Sequence, residues 1–147
     1  MIRSPHITLK KLTALLILLL MLFSCKKTDT KVDELNLAYQ MLGDKTWYLD
    51  YSQTITASGI RTRTYLGQST YFINLLKDKS TVDSDGINGV YSLNNNSENL
   101  VLNISGKTKN GTSLDYSYTI VSIGVKNLIA KYKESDTSTV KQFFSAK

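Results

Sequence analysis

The distribution of apolar and polar positions changes character twice along the chain. Leu12 to Phe23 is a run of twelve residues in which Thr13 is the only polar member. In Val32 to Leu42, by contrast, Leu35, Ala38, Tyr39 and Leu42 recur at spacings of three and four, the signature of one apolar face on an α-helix. Thr30, with Asp33 three residues on, is placed to cap that helix, and Gly43 to end it in a left-handed conformation. After Gly43 the period becomes two. Trp47, Leu49 and Tyr51 alternate with Tyr48, Asp50 and Ser52, which predicts a strand with Trp47 and Tyr51 on one face. Further strands are predicted at 61–66, 70–76, 80–82, 89–93, 100–105, 114–123, 128–133 and 140–145. Between them lie Ser58-Gly59, Asp85-Gly86, Asn94-Asn95-Asn96, Asn110-Gly111 and Lys126-Asn127, turn peptides that join neighbouring antiparallel strands directly. No helical crossover follows Gly43, so a parallel sheet is excluded. The only proline is Pro5, and the later strands can therefore keep every ladder hydrogen bond. The expected fold is all-β: a small antiparallel up-and-down barrel of about eight strands spanning 32–147, with the short N-terminal helix plugging one end.

The amino-terminal segment reads as an address. Arg3, Lys10 and Lys11 precede the apolar run with no acidic residue among them. Twelve residues suit the core of a signal peptide and fall short of the roughly 18 that a membrane-spanning helix needs. Leu22-Phe23-Ser24-Cys25 resembles the bacterial lipobox. The resemblance implies that residues 1–24 are a lipoprotein signal peptide, that Cys25 carries diacylglycerol, and that 25–31 form a tether. Two or three acyl chains hold a protein firmly where one gives only reversible attachment. Lys26 and Lys27 stand beside that anchor, where anionic headgroups attract basic side chains. The expected partner is thus a membrane reached through lipid on Cys25, and the expected location is the cell envelope, at the outer membrane, with its face left open.

Charge changes the picture modestly. The chain carries +6, but loss of the signal segment removes three basic residues and leaves fifteen basic against twelve acidic side chains. Nucleic acid is not an expected partner, and a monomer is. Composition excludes more. The single His6 lies in the signal segment and the single cysteine is Cys25, so the mature domain lacks the residues of Ser-His-Asp triads, Cys-His pairs and ordinary zinc sites. Asp78, Asp83 and Asp85 do not fit a calcium loop, because the positions that need Gly and Glu after Asp83 hold Asn88 and Asn94. The domain is expected to be non-enzymatic, with no catalytic residues, no metal and no cofactor.

Leu42-Gly43 through Trp47-Tyr48-Leu49, with Tyr71-Phe72, Gly89-Val90-Tyr91-Ser92-Leu93, Leu100-Val101-Leu102 and Asn127-Leu128-Ile129, resembles the lipocalin-like domain of bacterial lipoproteins over about residues 40–145. That resemblance implies a barrel able to take a small apolar or amphipathic ligand. The family's arginine over the opening tryptophan has no counterpart, and Lys131 or Lys133 stand nearest by position. Trp47, Tyr51, Tyr91, Tyr116 and Tyr118 are the candidate ligand-lining residues, although aromatics also serve simply to pack sheets. Arg61 and Arg63 share a strand face and could grip a carboxylate or phosphate, or could mark a charged sheet edge. The alternative to a ligand-binding barrel is a filled, structural one whose surface engages another envelope protein or a glycan.

Overall fold

The computed structural model of the chain describes residues 30–66, 71–96 and 99–147. The expected signal segment 1–24 and Cys25 lie outside the described residues, as do the side chains of residues 30–33 and with them the expected Thr30–Asp33 cap; the expected tether 25–31 is shortened at its end, because residues 30 and 31 already belong to the helix.

Helix α1 (Thr30–Leu42) buries Ala38 and Leu42 in the core, with Leu35 and Tyr39 packed against it. Its end differs from expectation. Gly43 N–H still bonds Tyr39 C=O at 2.9 Å, and the left-handed residue is Asp44, with φ 57°. An aspartate tolerates that conformation because its short polar side chain can bond locally, and here Oδ1 accepts the Lys77 N–H at 2.9 Å. Gly43 instead allows a close approach, since a Cβ there would sit 3.0 Å from the Tyr39 carbonyl oxygen, tight enough that the neighbour would have to give.

The period-two region forms nine strands: β1 (Lys45–Thr56), β2 (Gly59–Thr64), β3 (Phe72–Leu75), β4 (Ser80–Asp83), β5 (Asn88–Asn96), β6 (Asn99–Lys107), β7 (Ser113–Ile123), β8 (Asn127–Ser135) and β9 (Ser138–Ala146). Neighbours pair antiparallel in chain order from β3 to β9, and β1 closes the ring by pairing with both β3 and β9. The result is a closed eight-stranded barrel with β2 as an extra strand. β2 exists because β1 is long: Lys45–Tyr48 pair with β3, while Tyr51–Thr56 pair with β2. Two hydrogen bonds mark the handover, Leu49 N–H to Tyr71 C=O at 2.9 Å and Tyr65 N–H to Asp50 C=O at 2.8 Å.

At that handover β1 also slips against β9. Leu49 faces Phe144 and Tyr51 faces Phe143, so Asp50 is one residue too many, a β-bulge. Because side chains alternate with period two, the extra residue exchanges the faces. Trp47 and Leu49 point inward before it, and Ser52 and Thr54 point inward after it, opposite Gln142 and Val140. The expected common face of Trp47 and Tyr51 is therefore corrected: Tyr51 lies on the outside of the barrel.

The helix end of the barrel is filled. Trp47, Leu42 and Leu75 are its largest fully buried side chains. Trp47 Nε1 donates to the Leu42 carbonyl at 3.0 Å, tying helix to first strand. The cation over Trp47 is Lys45, whose Nζ lies 5.5 Å from the ring centroid and donates to the Met41 and Val125 carbonyls. Lys131 and Lys133 do not take that place, because Ala130 and Tyr132 between and beside them face inward and the two lysines face out. Tyr39 Oη accepts the Leu93 N–H at 2.8 Å, so the helix plugs this end by hydrogen bonding as well as by packing.

The far end is looser. β7 and β8 are laddered only through Thr119 to Ile123, and Ser113–Tyr118 and Tyr132–Ser135 share no ladder. With β2 splitting from β3 on the other side, the distal strands form a β2-β1-β9-β8 wall standing apart from a β5-β6-β7 wall.

Candidate functional site

The space beside Trp47 cannot hold a ligand. Among Trp47, Ile73, Leu75, Leu102, Tyr118, Leu128, Ala130 and Phe144 there remains a cavity of about 10 Å³, no more than a single water needs. Tyr91, also expected to line a ligand, is buried at the same end, its Oη donating to the Leu76 carbonyl at 2.9 Å and its ring 6.0 Å from that of Tyr39. Tyr51 stacks on Phe143 outside the barrel, centroids 4.1 Å apart and planes 15° from parallel, with Lys141 Nζ above Phe143.

The room is at the distal end, and the bulge decides its chemistry. Once β1 has changed face, its inward residues are Ser52 and Thr54 rather than aromatics. Register then carries the change into β2: Arg63 pairs with Ser52 and Arg61 with Thr54, so both arginines share the inner face. Tyr65 follows in the same alternation, and the Arg63 guanidinium lies 5.2 Å from its ring centroid. Tyr132 and Glu134 of β8 and Gln142 and Val140 of β9 complete a cleft of about 490 Å³. That volume falls within the range of small-ligand sites, and the lining is predominantly polar.

Further tyrosines cluster around Tyr132. Tyr118 meets Tyr132 edge to face at 5.6 Å, and Tyr116 lies 6.2 Å from Tyr118. Tyr116, Tyr118 and Tyr132, with Asp115, Ser117 and Lys133, border a second cleft of about 450 Å³, so Tyr132 is a wall common to both. Burial pushes the Tyr118 phenol well above the ordinary tyrosine range, with Tyr132 and Tyr116 adding to it. Tyr132 is raised by burial and then by the Glu134 carboxylate, while Tyr71 is raised strongly by burial, Tyr118 and Asp83. These hydroxyls are neutral donors at any ordinary pH. Glu134 already accepts from the Ser138 hydroxyl at 2.9 Å. Gln142 Oε1 is buried without a hydrogen-bond partner among the described residues.

The aspartates have structural tasks. Asp83 Oδ1 accepts the Asp85 and Ile87 N–H groups and Oδ2 the Tyr71 hydroxyl, while Asp78 Oδ1 accepts from the Ser80 N–H and hydroxyl. Each pattern closes a turn in the manner expected of Asp. Among the described residues no group of three His, Cys, Asp or Glu side chains is placed to hold a metal.

Of the residues singled out from the sequence, Tyr116 and Tyr118 come together at the distal clefts, Trp47 and Tyr91 lie in the filled half, and Tyr51 lies outside. Cys25 is outside the described residues. Ser52, Thr54, Tyr65, Tyr132, Glu134 and Gln142 were not anticipated. The alternation Arg61-x-Arg63-x-Tyr65 was a usable signal, but which face it occupies depends on the Asp50 bulge. No family model matches the chain, and no curated protein and no solved structure matches it.

Proposed function

We propose that this chain is a lipid-anchored protein of the bacterial cell envelope whose barrel, kin in architecture to the lipocalin-like domains of bacterial lipoproteins, binds a small polar ligand at the end away from its helix. The observation that carries the reading is the cleft of about 490 Å³ walled by Ser52, Arg61, Arg63, Tyr132 and Gln142. The filled space around Trp47 turns the expectation of an apolar ligand toward a polar one. Anchoring rests on the Leu22–Cys25 lipobox and the basic, apolar segment before it. The role is binding rather than catalysis, since a domain with neither histidine nor cysteine lacks the usual nucleophile-base pairs. Among the described residues no helix is long and apolar enough to cross a membrane.

Two measurements test its halves separately. Growth with an alkyne analogue of palmitate should label the wild-type chain and leave Cys25→Ser unlabelled; an unlabelled wild type ends the lipoprotein reading. Titration of the purified chain with a panel of soluble sugars, sugar acids and amino acids should perturb the distal tyrosines. Binding confined to fatty acids or sterols would end the polar-cleft reading.

One feature favours the structural alternative. The outer edge of β2 pairs with no strand among the described residues and presents its ladder groups to another chain. On that reading the cleft variants would leave capture of an envelope partner intact, while proline at Thr62 would abolish it.

A further inference from the structure

Resting on the cleft reading above, we infer that the cleft takes a sugar acid, a hydroxyl-bearing ring with a carboxylate that Arg61 and Arg63 grip. Three independent features of the cleft converge on that chemistry.

The first is the arginine pair. Arg61 and Arg63 lie two residues apart on one strand face, about 7 Å at their bases, so both can reach a single anionic group. Among the described residues neither is paired with a carboxylate, and the Arg63 guanidinium lies over the Tyr65 ring. A planar guanidinium matches a carboxylate with two parallel hydrogen bonds, which a point charge cannot do.

The second is an unmet acceptor. Gln142 is a lining residue of the cleft, and its Oε1 is buried and receives no hydrogen bond among the described residues. A buried acceptor left unmade is costly, and a ligand hydroxyl relieves it. Sulfate and fatty acids bring an anion and no such donor, so they satisfy the arginines and leave Gln142 as it was. A fatty acid meets a further obstacle, because the barrel interior around Trp47 has no room for its chain.

The third is the aromatic wall. Tyr65 and Tyr132 line the cleft beside polar groups, and a pyranose has one face of C–H bonds and a rim of hydroxyls. Such a ring lies on tyrosine while its hydroxyls reach Gln142, Ser52 and Glu134. The competing occupant is an acidic peptide added to the β2 edge. It would use main-chain bonds and the arginines but would have no call on Gln142.

Calorimetry on the full chain extracted in a neutral detergent decides the matter, using trigalacturonate, the neutral galactose trisaccharide, sulfate, and a peptide of alternating Glu and Thr as probes. Trigalacturonate should bind most tightly, and its affinity should fall as salt is raised. Arg61→Gln and Arg63→Gln should each weaken it by about tenfold, the loss of one charge-assisted bond. Arg63→Lys should fall between wild type and Arg63→Gln. Gln142→Leu should weaken the acid and the neutral trisaccharide alike, a change that loss of charge alone would not produce. Both arginines are exposed, so unchanged melting temperatures will show that the variants remain folded. Equal binding of the neutral sugar, indifferent to the arginine variants, overturns the sugar-acid inference and leaves the polar cleft standing. Sulfate as strong as the trisaccharide, or binding of the peptide alone, also overturns it. If no probe binds at millimolar concentration, the cleft reading falls with it.

Discussion

Asp50 is the residue on which the interior chemistry turns. Its carbonyl accepts the Tyr65 N–H where β2 takes over from β3, its carboxylate accepts the Ser145 hydroxyl at 3.0 Å, and its presence as an extra residue moves Ser52 inside. Trp47, three residues earlier, belongs wholly to the filled half, and Trp47→Ala should cost about 3–5 kcal/mol in urea unfolding, the usual penalty for deleting a buried aromatic. A ligand-lining tryptophan would instead lose affinity with little loss of stability. The buried phenols give a second test. Tyr71 and Tyr118 are held neutral when folded, whereas an unfolded tyrosine releases its proton near pH 10. Above about pH 10 the unfolded state binds fewer protons, so stability falls as pH rises, and below it these groups contribute no pH dependence. Tyrosinate absorbance at 295 nm should therefore rise in two phases, the exposed rings first and the buried ones together with loss of the circular dichroism signal. A single early phase with the fold intact would contradict the burial.

At the scale of elements, the sequence was informative wherever a short period reports local geometry. The Leu35–Leu42 stripe located α1, and the alternation after Gly43 located nine strands and their antiparallel order, because turns such as Asp85-Gly86 and Asn110-Gly111 carry the positive φ that tight connections need. What alternation cannot report is a slip between strands. The bulges at Asp50 and at Val121 depend on the partner strand's register, so the faces of Tyr51 and Arg61 could not be read from their own neighbours. Nor could the ending of α1 on Asp44, which follows from how closely Gly43 approaches Tyr39 and Tyr91. Close approach also governs the β5-β6 pair near the open end. Gly89 and Gly106 are cross-strand partners, and a Cβ on Gly89 would fall 2.1 Å from the backbone oxygen of Ser105. Gly89→Ala should lower stability by about 1–3 kcal/mol, an overpacking cost that backbone atoms cannot easily relieve. Gly111→Ser, in an open turn with φ 81°, should cost less and serves as the comparison in thermal melting.

Across Lys31–Lys147 the two ends of the barrel are built differently. The end next to α1 is sealed by that helix, Trp47 and Lys45, and the distal end carries the polar cleft. Lys31–Lys147 forms one compact unit, so the fragment should be soluble, monomeric on sizing and β-rich by circular dichroism. The most direct test of the account is a nitrogen–proton correlation spectrum of that fragment titrated with trigalacturonate. Shifts should concentrate at Ser52, Thr54, Arg63, Tyr132 and Gln142, with the Trp47 indole N–H, bonded to Leu42, unmoved. A moving Trp47 indole with silent distal amides would show that binding lies in the filled half and would contradict the account.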